Sequence, residues 1–211
     1  MTTHFELPYG KGKVPIDLPM GWKADLFRPN PILPAKSPLQ EIIESLEHPL
    51  GKRRLKDYQG IKSVAIAISD ETRLVPYHLI LPPLLERFGK MGIDPSAIRF
   101  LIASGLHSPM LESRFPNLLS HEILRKYAVT VHNAWEKDLK FLGNTSRRTP
   151  VYLNPIFHNA DLRLVIGLID PHQFVGYTGG VKGAAIGLAG ARTIEANHWM
   201  LSHPKAVIGE I

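Results

Sequence analysis

The sequence predicts an α/β fold: a mostly parallel, doubly wound (Rossmann-like) sheet with helices on both faces and a small N-terminal β hairpin. Apolar runs of strand length alternate with segments of helical spacing, and these runs cover residues 64–68, 98–103, 129–132 and 162–169. Three of the runs end in polar loops, and in a parallel sheet such loops meet at one edge. We therefore expect loops from different strands to share one ligand site.

The helices are predicted from apolar stripes and from end signals. Residues 77–91 carry apolar side chains at helical spacing and stop at Gly92, a residue type common after helix ends. Ser120 is a good N-cap for a short helix that follows it. Residues 38–46 and 192–200 also have helical character. These segments supply the crossover connections that a parallel sheet requires.

The N-terminal part of the chain has a different pattern. Residues 5–18 read as two short extended pieces around a Gly-Lys-Gly turn, and residues 19–37 form a proline-rich connecting arm without periodicity. The predicted organisation is residues 1–60 as hairpin, arm and helix packed on the main domain, and residues 61–211 as the α/β, cofactor-binding domain.

Composition excludes several classes of function. The net charge is +6 with a pI near 9.5, but the basic residues are scattered, and the densest run at residues 52–56 has no nucleic-acid-binding motif around it. A solvated basic face, or a site for anionic small molecules, explains the surplus better. The chain has no cysteine, hence no disulfide, thiolate metal site or cysteine nucleophile. No apolar run approaches the ~20 residues of a membrane span, and the start lacks secretory-signal character, so we expect a cytoplasmic protein.

The strongest local signal is the glycine-rich segment 176–183, which contains Lys182. Glycines allow the backbone to approach a ligand, and a lysine among them can meet a phosphate or act as an amine nucleophile. The segment has neither the Walker A spacing nor the GxGxxG fingerprint. Taken alone, it is equally well explained as an ordinary loop.

Three of the ten histidines have a suggestive context. His107 and His172 follow predicted strands, and His198 lies on the last predicted helix. An imidazole there could act as an acid or base or as a metal ligand, although a lone loop histidine is more often a surface or hydrogen-bonding residue. The other histidines lack such a context and are expected to be structural or exposed: His4, His48, His78, His121, His132, His158 and His203.

Asp70 and Arg73 follow the first buried strand. They could form a local ion pair, or Arg73 could bind a carboxylate or phosphate through its planar guanidinium group. Residue chemistry alone therefore predicts a site for an anionic small molecule with histidine acid/base groups. No multi-ligand run such as HExxH is present, so a metal held entirely by protein side chains is not expected.

Four ordered motifs resemble the N-terminal domain of the nickel-dependent lactate racemase family. They are SDETRLVP at residues 69–76, ASGLHSP at 103–109, PHQFVGYTGGVK at 171–182 and TIEANH at 193–198. The opening LPYG at residues 7–10 is similar as well. The resemblance runs through nearly the whole chain in one order.

The resemblance implies a nickel-pincer nucleotide, a pyridinium bis-thiocarboxylic acid mononucleotide that grips nickel. Lys182 would link to it covalently, and His198 would be the protein ligand of nickel. His107 and His172 would be the paired general acid/base groups. Asp70 and Arg73 would orient the histidines, the substrate carboxylate or the cofactor. The expected cofactor-binding residues are Lys182, Thr72, Gly176, Thr178, Gly179 and Gly180.

The implied activity is racemisation or epimerisation of a small-molecule 2-hydroxy acid by proton-coupled hydride transfer, with cofactor-biosynthesis proteins as partners. The sequence departs from the family pattern at Ser108, Val181 and Ile186, which leaves the substrate open. The family's second, C-terminal domain has no counterpart in these 211 residues. The alternatives are a binding module that holds the nucleotide without turnover, or an inactive fragment.

Overall fold

The computed structural model describes residues 3–25, 27, 30, 32–51, 53–173, 175–204 and 206–209. The chain forms two compact units, Met1–Ala35 and Lys36–Ile211. The first contains an antiparallel hairpin of β1 (Thr3–Tyr9) and β2 (Gly12–Leu18), which confirms the predicted hairpin. The described residues of the arm at 19–37 hold neither helix nor strand, and residues 26, 28, 29 and 31 lie outside the description.

The second unit contains the remaining elements. Its strands are β3 (Val64–Ile68), β4 (Ile98–Ile102), β5 (Ala128–Val131), β6 (Lys140–Asn144), β7 (Pro150–Leu153), β8 (Leu162–Ile166), β9 (Pro171–His172) and β10 (Gly176–Tyr177). Its α-helices are α1 (Pro38–Glu47), α2 (Tyr77–Lys90), α3 (His121–Lys126), α4 (Pro155–Asn159), α5 (Lys182–Ala185) and α6 (Ala191–His198). Short 3-10 helices cover Leu55–Asp57, Pro95–Ala97, Glu112–Asn117 and Trp199–Ser202. The predicted arm and helix of residues 1–60 are thus divided between the two units, because α1 packs on α2.

The core of the second unit is a four-stranded, fully parallel sheet in the order β5-β4-β3-β8. Large side chains of β3 and β4, such as Ile66 and Phe100, face a cluster that includes α2, α3 and the 3-10 helix at Glu112–Asn117. The opposite face presents Ala65 and Ala67 to α4 and α5. Small side chains there let those helices approach closely. Helices therefore cover both faces, which confirms the predicted doubly wound fold.

The strand order creates a crevice at one edge of the sheet. From β3 the chain moves outward to β4 and then β5, whereas β8 returns to pair with the other side of β3. The loops that follow β3 and β8 therefore diverge. In open α/β sheets, ligands bind at such a point, outside the carboxyl ends of the strands.

Two features differ from the predicted elements. The strand expected at residues 162–169 ends at Ile166, because the carbonyl of Leu168 and the amide of Asp170 bond the Thr178 hydroxyl instead of a strand. The antiparallel pair β6 and β7 was not predicted, since its strands are short, β6 is mostly exposed and β7 is half-buried throughout, so neither has clear alternation. Within the described residues, no helix is both long and apolar enough to cross a membrane.

Candidate functional site

A cleft of about 270 Å³ lies at the carboxyl ends of β3, β4 and β8. Its lining brings together most of the candidate site residues from distant parts of the sequence: Asp70, Thr72, Arg73, His107, His172, Thr178, Gly179, Lys182 and His198. Gly176 and Gly180 are not among the described lining residues. The expected convergence of loops thus occurs where the topology places it.

Asp70 and His107 form a hydrogen-bonded pair that joins the loops after β3 and β4. The carboxylate Oδ2 is 2.6 Å from the imidazole Nδ1. Asp70 Oδ1 accepts hydrogen bonds from the backbone N–H and the hydroxyl of Thr72. Burial raises the pKa of Asp70, but the bonds from Thr72 and His107 outweigh it and hold this pKa below its ordinary value. An ionised carboxylate on Nδ1 fixes that nitrogen as the donor, so Nε2 of the neutral ring can act as a base.

Tyr77, the first residue of α2, fixes the end of β3. Its hydroxyl accepts a hydrogen bond from the Ser69 N–H at 2.7 Å and donates one to the Ser69 carbonyl at 3.2 Å. Burial raises the pKa of Tyr77 to about 12, so the hydroxyl stays protonated. This side chain therefore holds the backbone directly before Asp70.

We expect Tyr77→Phe to lower the free energy of unfolding by about 1–3 kcal/mol, because it leaves the peptide groups of Ser69 unpaired in a part-buried position. Urea denaturation measures this. The matched control is Tyr127→Phe, since the Tyr127 hydroxyl makes no hydrogen bond within the described part of the chain. The control should change stability by less than about 0.5 kcal/mol. Equal effects of both variants would contradict the assigned role of the Tyr77 hydroxyl.

The glycine-rich segment is ordered by Thr178 and its neighbours. The Thr178 hydroxyl donates to the Leu168 carbonyl at 2.7 Å and accepts from the Asp170 N–H at 2.9 Å. Gly179 has φ +78°, and a Cβ there would lie 2.8 Å from the Leu168 carbonyl oxygen. Gly180 has φ +51° and open space around it, while Gly176 belongs to β10 and pairs with His172. The hydroxyl of Thr178 therefore shapes the cleft wall.

Four basic groups lie near each other in the cleft. Burial lowers the pKa of Lys182, at the start of α5, and the Arg73 guanidinium lowers it further. Burial also lowers the pKa of His172, with additional effects from Lys182, Arg73 and His198. The mutual influence of these cations favours an anionic ligand, and it favours the neutral forms of the His172 ring and the Lys182 amine.

His198, the last residue of α6, has a defined ring tautomer. Its Nδ1 lies 2.7 Å from the Ile194 carbonyl oxygen. A carbonyl oxygen only accepts hydrogen bonds, so Nδ1 carries the proton and Nε2 holds the lone pair of the neutral ring. Metal-binding histidines commonly use this arrangement, with one ring nitrogen held by a carbonyl group and the other on the metal. Among the described residues, however, no group of three or more His, Asp or Glu side chains is placed to hold a metal.

Sequence reasoning assigned no site role to several residues that line the cleft, although most of them lie in the quoted motifs or in the glycine-rich segment: Ser69, Ser104, Gly105, Gly167, Gly183 and Gly187. Gly183 and Gly187 have a steric reason to be glycine. A Cβ on Gly183 would lie 2.5 Å from the Val165 Cγ1, and one on Gly187 would collide with the Gly183 carbonyl oxygen. The glycines around Lys182 were the sequence signal for this close packing, but a sequence does not show which atoms of the folded protein approach these glycines.

The fold and the site define an α/β domain with a cleft lined by basic side chains at the carboxyl edge of its parallel sheet. Residues 9–209 match the family model described as the lactate racemase N-terminal domain. The chain belongs to this family. The architecture and the family resemblance of the sequence are thereby confirmed.

Individual relatives agree with this assignment. The chain is similar to the lactate racemase of Thermoanaerobacterium thermosaccharolyticum, with 30% identity over 204 residues, 92% of this chain and 46% of that protein. It is 32% identical over 177 residues to the lactate racemase of Lactiplantibacillus plantarum, which covers 82% of this chain and 42% of that protein. The chain thus spans less than half the length of these curated relatives.

Solved structures give the same picture. The structure of the lactate racemase apoprotein from T. thermosaccharolyticum matches with a TM-score of 0.82 and 31% identity, over 98% of this chain and 49% of that one. A crystal structure of a Thermotoga maritima protein matches with a TM-score of 0.64 and 23% identity, over 82% of this chain and 44% of that one. The second likeness concerns the fold alone.

Proposed function

We propose that this chain carries the cofactor-binding and acid/base part of a 2-hydroxy acid racemase or epimerase that uses a nickel-pincer nucleotide. The observation that carries the proposal is the oriented pair of Asp70 and His107, in the same cleft as His172, Lys182 and His198. Membership of the lactate racemase family supports the reaction class. The substrate within the 2-hydroxy acids is left open.

The residues present fit the nucleotide. Nickel would need ligands from outside the protein, because the described residues offer no three-ligand cluster, and a pincer group brings its own. Nε2 of His198 has the lone pair for the remaining coordination position. The Lys182 amine lines the cleft and has a lowered pKa, which increases its neutral, nucleophilic fraction. Arg73 supplies positive charge for the substrate carboxylate or for the phosphate of a mononucleotide.

The acid/base work belongs to the two histidines. When bound, the nucleotide supplies the group that accepts the substrate Cα hydrogen as hydride and returns it. His107, held by Asp70, accepts the hydroxyl proton of one enantiomer through Nε2 while the C–O bond becomes a carbonyl. His172 enters this step protonated, because the negative charges of a bound substrate carboxylate and nucleotide phosphate favour this form more than the unliganded cleft does. It returns its proton to the oxygen after the planar keto acid presents its other face. Arg73 holds the carboxylate during this turn, which keeps the reacting groups in register.

The first experiment tests cofactor attachment. The full chain is co-expressed with the cofactor-making enzymes and examined by intact-mass and nickel analysis. We expect a covalent adduct with bound nickel in the wild type and no adduct in Lys182→Ala. The matched control is Lys90→Ala, which removes an exposed lysine paired with Glu86 and should keep the adduct. A wild-type chain that stays unmodified and metal-free, while an authentic lactate racemase acquires both, would refute the proposal.

The second experiment separates turnover from binding alone. A non-catalytic binding module is the second candidate, favoured by the exposure of the His107 side chain, which is 61% accessible to solvent. Water in an open site competes with hydride transfer. Chiral analysis and Cα-hydrogen exchange are measured with lactate, malate and larger 2-hydroxy acids. Exchange with any of them supports the enzyme, whereas a stable adduct without exchange supports the binding module.

A further inference from the structure

His132 lies at the end of β5, outside the cleft, and is almost completely buried at 1% exposure. Its ring Nε2 lies 2.9 Å from the Ala189 carbonyl oxygen, and its Nδ1 lies 3.2 Å from Nδ2 of Asn154. Its own carbonyl accepts a hydrogen bond from the Ser104 hydroxyl at 2.8 Å. A single buried residue thus joins the loop after β4, the start of α4 and the segment between α5 and α6.

The hydrogen-bond network determines which ring nitrogen of His132 carries the proton. Asn154 caps α4, and its Oδ1 accepts from the backbone N–H groups of Ile156 and Phe157. Its amide nitrogen therefore faces His132 and donates to Nδ1. Nε2 must then carry the proton, since the Ala189 carbonyl can only accept. A protonated ring would set the N–H at Nδ1 against the amide N–H groups of Asn154, so the site accommodates only the neutral form.

The contact with Ala189 matters because of where that residue lies. Residues 187–190, the connecting segment, join α5, which begins at Lys182, to α6, which ends at His198. The backbone N–H of Gly105 donates a hydrogen bond to the carbonyl of Gly187, and the backbone N–H of Asn154 donates one to the carbonyl of Leu188. The backbone N–H of Gly190 donates a hydrogen bond to the carbonyl of Tyr152.

Those three contacts are made between backbone groups, whereas the contact to Ala189 comes from a side chain. A substitution can remove it without altering the others. A point mutation at His132 can therefore loosen the connecting segment while its backbone hydrogen bonds remain.

We propose that His132 is a positioning residue, whose neutral ring fixes the connecting segment and thereby the separation of Lys182 from His198. The proposal rests on the proposed function where it assigns those two residues to the nucleotide and nickel. A nucleotide held through both Lys182 and His198 would need this separation to be constant. Looser spacing would leave binding at Lys182 possible but would weaken the hold of His198 on the metal.

Two substitutions of similar chemistry provide the test. Glutamine places its amide nitrogen near the position of Nε2 and can still donate to Ala189, whereas asparagine is one methylene shorter and reaches only the position of Nδ1. We measure amide hydrogen exchange of residues 187–190 in the full chain. In His132→Asn this exchange should be roughly tenfold faster, the effect of losing one hydrogen bond, and in His132→Gln it should stay within about twofold. Phe88→Leu, a core change on the opposite face of the sheet, controls for general destabilisation.

The pH dependence distinguishes a positioning role of the ionisable His132 ring from a purely structural role that histidine, asparagine and glutamine could all fill. Burial lowers the pKa of His132 below its ordinary value of 6.5, and the hydrogen bond to Ala189 opposes this only in part. The hydrogen-bond partners from Ile102, Ser104, Asn154 and Ala189 are all uncharged. The contribution of the neutral ring to stability is complete above pH 6.5 and is lost as the pH falls through the lower folded pKa. The protection factors of the segment, which correct for the intrinsic slowing of amide exchange in acid, should fall with acid in the wild type and fall less in His132→Gln.

A second measurement uses the cofactor-bound protein. Nickel release to a chelator should be about tenfold faster in His132→Asn than in the wild type, with little change in His132→Gln. Equal exchange in the asparagine and glutamine variants, or equal loosening in Phe88→Leu, would overturn the positioning role. If the wild type never acquires the Lys182 adduct, the proposed function fails, and the exchange measurements still decide whether His132 controls the connecting segment.

Discussion

Asp70→Asn is expected to lower the rate of the proposed racemisation by about a thousandfold or more while the protein stays folded. The reason is the direction of the hydrogen bonds. Thr72 donates two of them to Oδ1, so the asparagine oxygen keeps that position and its NH₂ group faces His107. The amide then donates to Nδ1 of the ring, and the ring proton moves to Nε2. A protonated Nε2 cannot accept the hydroxyl proton of the substrate.

The measurement is the turnover number with the best 2-hydroxy acid substrate, together with nitrogen NMR of the His107 ring, which reports the tautomer independently of turnover. Asp94→Asn is the matched control, because Asp94 only caps the 3-10 helix at Pro95–Ala97 and asparagine caps equally well. Turnover in Asp70→Asn within tenfold of the wild type, or an unchanged tautomer, would show that Asp70 does not orient His107.

Gly187→Ala is expected to lower the free energy of unfolding by about 3 kcal/mol, the upper end of the usual range for overpacking. The added Cβ would lie 2.8 Å from the Cβ of Ala103 and 3.1 Å from its carbonyl oxygen, and closer still to the Gly183 carbonyl oxygen. These atoms belong to the backbone or are attached directly to it, so no side-chain rotation relieves the contact. The loop after β4 and helix α5 must move apart, which would also disturb the spacing of Lys182.

Urea denaturation measures this loss, and Gly89→Ala provides a control of opposite sign. Gly89 is an exposed residue of α2, and a Cβ there would meet nothing within 4 Å. Alanine has the higher helix propensity, so this variant should gain about 0.5–1 kcal/mol. A loss below about 1 kcal/mol in Gly187→Ala would mean that the loop and α5 relax easily, and the close packing would not constrain the site.

The elements that sequence reasoning found have strong local signals. The buried run at Val64–Ile68 and the apolar stripe of α2 are patterns of neighbouring residues, and both elements formed where expected. Ser120 caps α3 through a hydrogen bond from the Ile123 N–H. The hairpin of β6 and β7 was missed because its strands are short and their burial shows no clear alternation.

At the candidate site, too, some features have local sequence signals and others depend on contacts between distant residues. Residue type and strand-end position identified Asp70 and His107 as capable of chemistry, and the family resemblance suggested their roles. The bond between them joins residues 37 positions apart, which no local pattern encodes. His132 had no distinguishing context in the sequence, and its contacts with Asn154 and Ala189 depend on three distant segments that meet only in the folded protein.

By itself, the sequence determined the α/β class, the order of the main strands and helices, and the membership of the lactate racemase family, because periodicity, caps and motifs are properties of adjacent residues. Only the tertiary structure decided which nitrogen of His107 and of His198 holds the proton, why Gly183 and Gly187 have no room for a side chain, and how residues 187–190 are held. Hydrogen-bond direction and close packing depend on distances between residues far apart in the chain, and folding alone sets those distances.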